Sequence, residues 1–173
     1  MHRFMLVVMV LELICPSGFA QNTSSPNAPS FSAEGGRFAS FDFPSPGVTD
    51  TEATAITPSG AIVGRYFTPD GHEHGFVLNE GKFTAVDVPA APLTDAAWIT
   101  GIDPEGDIVG FYNSKDGKQH GFVLTTGKFV SIDIPGATAT EANGLDPQGD
   151  MVGRYVTPDS HTHGYFLPRS RAN

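Results

Sequence analysis

Six histidines and a recurring set of aspartates are the residues whose spacing could do chemistry. His72 and His74 form an H-x-H pair, and His161 and His163 form another. Alternate residues on a strand share a face, so both imidazoles of a pair could meet one metal ion. A metal-assisted hydrolase at these four residues is the enzymatic alternative. The middle of the chain breaks the pattern with Lys118-Gln119-His120. What recurs is the single His before Gly, at His74, His120 and His163, and an imidazole hydrogen-bonded across a hairpin explains it more economically.

Asp42, Asp87 and Asp133 each stand between two apolar residues in strict alternation. Such an Asp faces away from its neighbours and, if covered, needs donors. His74, His120 and His163, or a turn backbone, could supply them, so these six residues are read as structural. Asp103/Asp107 and Asp146/Asp150 flank Pro-x-Gly turns. They lack the density of oxygens a calcium loop needs. Arg65 and Arg154, with Phe111 at the corresponding place, precede Tyr66, Tyr155 and Tyr112. Arginine beside an aromatic on a strand edge can grip sugars or peptides. Trp98, the one tryptophan, stands where Glu52 and Glu141 stand. Arg65, Tyr66, Trp98, Tyr112, Arg154 and Tyr155 are therefore the candidate binding residues. A nucleophile elbow, a Gly-rich phosphate loop, C-x-x-C and H-E-x-x-H are all missing. No catalytic residue, cofactor or metal is expected, and the chain is read as a non-enzyme.

These residues sit inside three recurring phrases. F-x-x-[FVI]-D-[FVI]-P occupies residues 38–44, 83–89 and 129–135. [IL]-x-P-x-G-x-[IM]-V-G-[RF]-Y occupies 56–66, 102–112 and 145–155, and H-G-[FY]-[VF]-L occupies 74–78, 120–124 and 163–167. The units run over 37–81, 82–127 and 128–168, and each supports about four short strands. Apolar alternation around the aspartates is a period-2 signal. Asp-Pro-x-Gly fits a type I turn, and no window shows a helical period. The domain is expected to be all-β. Four strands in about 45 residues is the arithmetic of a propeller blade, with a β-trefoil as the alternative.

The H-G-F-V-L, F-x-x-x-D-x-P and G-x-I-V-G-x-Y phrases resemble those of the HAF family of bacterial extracellular repeat proteins, over residues 37–168. The resemblance implies secretion and a propeller-like architecture, and no established activity. Gly75, Gly121 and Gly164 stand where the family name has Ala.

Composition narrows the partners. The net charge is −9, with 10 Lys+Arg against 19 Asp+Glu, which argues against nucleic acid or an anionic membrane as partner. Residues 1–20 read as a secretory signal: a basic start, an apolar run and a small-residue cleavage site after Ala20. Residues 21–36 read as a flexible leader and 169–173 as a tail. Cys15, the only cysteine, would leave with the signal. The expected location is periplasmic or secreted, with no membrane attachment after cleavage. The functional expectation is a non-catalytic protein presenting a binding or assembly surface to an unknown extracellular or periplasmic ligand, with a trefoil-type carbohydrate module as a further alternative. The first phrase (38–43) has no preceding H-G-F strand and the last H-G-F strand no following one. Self-association through these terminal strands is expected.

Overall fold

A computed structural model describes residues 12–13 (backbone only), 39–88, 97–115 and 117–169. The expected signal (1–20) and leader (21–36) lie outside these residues, Glu12–Leu13 excepted. The described chain is all-β, without a helix, in two sheets. The first sheet has the order β1-β5-β4-β3-β2, from β1 (Glu12–Leu13), β2 (Asp50–Ile56), β3 (Ile62–Phe67), β4 (Glu73–Asn79) and β5 (Lys82–Val86). The second runs β12-β11-β10-β8-β7-β6, with β9 also paired to β8. Its strands are β6 (Ala97–Ile102), β7 (Ile108–Asn113), β8 (Gln119–Thr125), β9 (Lys128–Ile132), β10 (Ala139–Leu145), β11 (Met151–Val156) and β12 (Thr162–Leu167). A single parallel contact, Ala139 opposite Gln119, joins β10 to β8. Neither sheet closes into a barrel or ring among the described residues.

Turn chemistry sets the hairpins. Between β6 and β7 the Gly106 amide donates to the Asp103 carbonyl at 3.1 Å, and Gly106 takes φ of 89°. A residue with a Cβ adopts that conformation rarely, which is why the turn ends in glycine. The Asp103 carboxylate caps the turn from below by accepting from the Asp107 amide at 2.9 Å. Thr57 and Asp146 do the same for Ala61 and Asp150. The β4–β5 and β8–β9 hairpins turn on two residues each, Glu80-Gly81 and Thr126-Gly127, all at positive φ. That is the mirror-image turn whose twist matches the flanking strands.

Three clusters form the core, and they alternate with the strand groups. Phe43, Tyr66, Phe76 and Phe83 cover one face of β3–β5. Val63, Val86 and Val88 on the opposite face meet Ile99, Ile108, Tyr112 and Phe122 of β6–β8. Val109 and Ile132 then meet Ala142 and Met151 of β10 and β11. Side chains alternate across each strand, so each group has two faces to cover and is stacked against the next.

One expectation needs correction. Residues 38–43 were expected to form a strand, yet 39–43 take no strand pairing. Phe41 and Phe43 instead lie against the rings of Tyr66, Phe76 and Phe83, where they gain burial without a ladder partner. The Arg169 amide donates to Asp150 at 2.8 Å and its guanidinium to Asp107 at 3.2 Å.

Gly64, Gly110 and Gly153 hold the middle strand of each group. They lie opposite Phe76, Phe122 and Tyr165, whose rings cross over them. A Cβ at Gly110 would meet the Phe122 ring at 2.9 Å and run into the Trp98 carbonyl oxygen. A Cβ at Gly144 would meet only Val152, at 3.8 Å. Gly110→Ala should therefore cost roughly 3 kcal/mol by overpacking, and Gly144→Ala less than about 1 kcal/mol. Thermal denaturation of the two variants checks this, and equal losses would show that the ring contact is not limiting.

Candidate functional site

The structure joins the recurring His and Asp. His74 Nδ1 lies 2.8 Å from Asp87 Oδ1, and His120 Nδ1 lies 2.6 Å from Asp133 Oδ1. Antiparallel register makes this pairing. Gly75 lies opposite Val86 and Gly121 opposite Ile132, so the next residue on each strand faces its counterpart. Each imidazole also stacks on the tyrosine across the hairpin: Tyr66 on His74 at 5.1 Å, Tyr112 on His120 at 5.3 Å, Tyr155 on His163 at 5.1 Å. Phe43 continues the first stack, 3.7 Å from Tyr66 and nearly parallel to it. Burial, with the charge of Asp87 added, pushes the Tyr66 hydroxyl up to about 12.

The candidate metal ligands do not converge. His74 is engaged by Asp87, while His72 Nε2 lies 3.6 Å from Asp70 and His161 Nδ1 lies 2.9 Å from Asp159. Among the described residues no group of three His, Cys, Asp or Glu could hold a metal ion.

The candidate binding residues are not brought to one patch. Tyr66 and Tyr112 are buried in the core and leave the surface reading. Arg65 is held by Glu52 at 2.6 Å and Glu73 at 2.9 Å. Burial works against its charge, but those two carboxylates outweigh it and raise its pKa. Arg154 forms a two-bonded fork with Glu141, at 2.7 and 2.6 Å. Trp98 lies opposite Phe111 as Glu52 lies opposite Arg65 and Glu141 opposite Arg154. In the middle group an ion pair is thus replaced by an aromatic stack, with ring centres 4.8 Å apart at 20°.

Sequence reasoning missed Ser114. Its hydroxyl lies 2.9 Å from His120 Nε2, while Asp133 holds Nδ1 of the same ring. A hydroxyl, an imidazole and a carboxylate in that order are a nucleophile, its base and the group that orients the base. Ser114 sits six residues before its histidine without an elbow motif, so only the hairpin geometry reveals the arrangement. The same His–Asp pair stands at His74 and Asp87, where Thr68 bonds Asp70 instead. The pair therefore serves the hairpin with or without a hydroxyl.

Asp103 carries the least satisfied charge among the described residues. It is buried, and its Oδ2 has no hydrogen-bond partner. Burial first, and then the charges of Asp107 and Glu105, raise its pKa above 3.8. A folded-state pKa above the unfolded value means the native state holds the proton more tightly. The stability from this group is full below the ordinary pKa and is lost as pH rises through the folded value. Asp103→Asn keeps the turn-capping oxygen and removes the charge. Its gain in Tm over the native chain should be larger at neutral pH than below pH 3.8. A difference that does not change with pH would overturn the assignment.

No protein-family model, no curated protein and no solved structure matches this chain.

Proposed function

We propose that the chain is an exported, non-catalytic β-repeat protein that works by presenting a binding surface. The signal-like residues 1–20 and the HAF-like phrasing support export. The consecutive strand order β5-β4-β3-β2 and the stacking of one strand group on the next favour blade-like units over a trefoil. The observation that carries the binding reading is the Trp98–Phe111 stack. It is half-buried and replaces an ion pair at a position whose two counterparts are Glu–Arg. A flat aromatic surface offers large contact area at small entropic cost and suits the apolar face of a sugar ring or a peptide side chain. Trp98 is also the single tryptophan, so its emission reports directly on the site. A glycan and peptide array read with the native chain and with Trp98→Ala tests the reading. Ligands retained by the native chain, lost by the variant and shifting the Trp98 emission are expected. An array on which the two proteins behave alike would overturn it.

Ser114, His120 and Asp133 favour a second reading, acyl transfer from an activated ester to the Ser114 hydroxyl. A fluorophosphonate probe separates the two. On the non-catalytic reading Ser114 stays unlabelled; labelling that disappears in Ser114→Ala and His120→Ala would favour the enzyme. One zinc or copper per chain surviving dialysis would instead revive the metal hydrolase at His72, His74, His161 and His163.

A further inference from the structure

The two outer ends of the strand stack are unfinished in complementary ways. β12 pairs with β11 and has no strand on its other side among the described residues. The corresponding edges of β4 and β8 are occupied by β5 and β9, which bring Asp87 to His74 and Asp133 to His120. His163 stacks on Tyr155 like its two counterparts, yet no carboxylate reaches it among the described residues. At the opposite end, Asp42 is exposed and no histidine reaches it among the described residues.

The segment carrying Asp42 already lies where an outer strand would lie. Val86 and Val88, flanking Asp87, pack on Tyr112 and Phe122 of the next group. Phe41 and Phe43, flanking Asp42, pack on the matching residues Tyr66 and Phe76. The Phe43 amide donates to Thr51 at 3.1 Å, as the Ile134 amide donates to Thr140 at 3.2 Å. Residues 39–43 thus have the contacts of an outer strand toward the group that follows, and among the described residues no strand pairs with their other side.

The faces match as well as the edges. Val63 and Val109 are 0 % exposed because the next group covers them, but Val152, at the same place on β11, is 50 % exposed. Phe166 beside it on β12 is 64 % exposed. On the other end, Ile56 is 66 % exposed, whereas Ile102 at the same place on β6 packs into the core. Three of the four large exposed hydrophobic residues among the described residues therefore fall on the two terminal faces. A bare strand edge beside such a face is a template for pairing.

We infer that the binding partner of these faces is a second copy of this chain. Residues 39–43 of each copy add a strand beside β12 of the other, Asp42 of one meeting His163 of the other. Ile56 of one copy then covers Val152 and Phe166 of its neighbour. Joining the ends within one chain would need a ring of three strand groups, tighter than the four to eight of known propellers. Two copies joined at both ends make a two-fold closed ring of six groups, with no edge left to propagate. This inference rests on the blade-like, surface-binding reading above and specifies a partner for it.

The test uses the full chain carrying Cys15→Ser, so that no native thiol remains. Light scattering should give the mass of two chains, and Phe166→Asp should halve it while the circular dichroism stays that of a β protein. Asp42→Cys and His163→Cys are then made separately and mixed under mild oxidation. A disulfide-linked pair is expected from the mixture and from neither variant alone. A one-chain mass for the native protein, or a double variant that cross-links only within its own chain, overturns the inference. Either result leaves the Trp98 array to decide the binding reading independently, because Trp98 belongs to the middle group and not to a terminal face.

Discussion

The structure depends on three points where a strand can carry no side chain. At Gly64, Gly110 and Gly153 an aromatic ring from the third strand of the group lies across the second, and a carbonyl of the first strand presses from the other side. Each first strand shifts register beside its glycine, between Ala53 and Ala55, Ile99 and Gly101, and Ala142 and Gly144. Such a bulge bends the strand and increases its twist. The ring that fills the space is then positioned for the core, and Phe76 and Phe122 are wholly buried. Local backbone spacing and packing between groups are thus one constraint, met by glycine on one strand and an aromatic on its neighbour. Tyr165 obeys the geometry with a cost: its hydroxyl is buried without a partner, and burial pushes it up to about 12.

The His–Asp–Tyr arrays along the rim have a different physical weight. Their carboxylates are largely exposed, and exposed ion pairs contribute about 0–1 kcal/mol each. Their value is in geometry. A histidine held at once by a ring and a carboxylate fixes which residues of the two strands stand opposite, and a one-residue slip would turn every apolar side chain to the wrong face. The core supplies the stability and the rim resists the slip. The rim is also where the terminal strands differ from the others, since His163 and Asp42 have the stacks and contacts of their counterparts without the pairing.

The all-β character, the turns and the His–Asp pairing were legible from residue type and spacing, because each rests on contacts between neighbours along a hairpin. Alternation around Asp87 and Asp133 puts those aspartates on the histidine side of the sheet, and Pro-x-Gly places the turns. What was not legible depends on distant contacts. Nothing local distinguishes Phe41-Asp42-Phe43 from Val86-Asp87-Val88, and only the absence of a neighbouring strand leaves the first unpaired. Tyr66 and Tyr112 look like edge aromatics in sequence, but the Phe41–Phe43 segment covers Tyr66 and packing of the first group on the second buries Tyr112. The carboxylates beside the H-x-H pairs were not read from the sequence: Asp70 and Asp159 stand two residues before His72 and His161 and lie within 3.6 and 2.9 Å of their rings.

Positions where the three groups disagree are the informative ones. Gly64, Gly110 and Gly153 leave little freedom, since a Cβ there would run into a ring and a carbonyl, while the rings opposite them vary only between Phe and Tyr. The pair opposite the glycine is less constrained: Glu52–Arg65 and Glu141–Arg154 bridge two strands by charge, and Trp98–Phe111 bridges the same two places by stacking. Both solutions satisfy the sheet, so the fold does not choose between them. A scaffold that accepts a saturated ion pair equally well has no structural need for a half-buried indole, and a saturated pair has little left to offer a ligand. Ser114 reaches His120 at 2.9 Å, and the corresponding Thr68 and Thr157 bond Asp70 and Asp159. Function in this chain is therefore to be sought in the middle group, at the places where the fold tolerated a change.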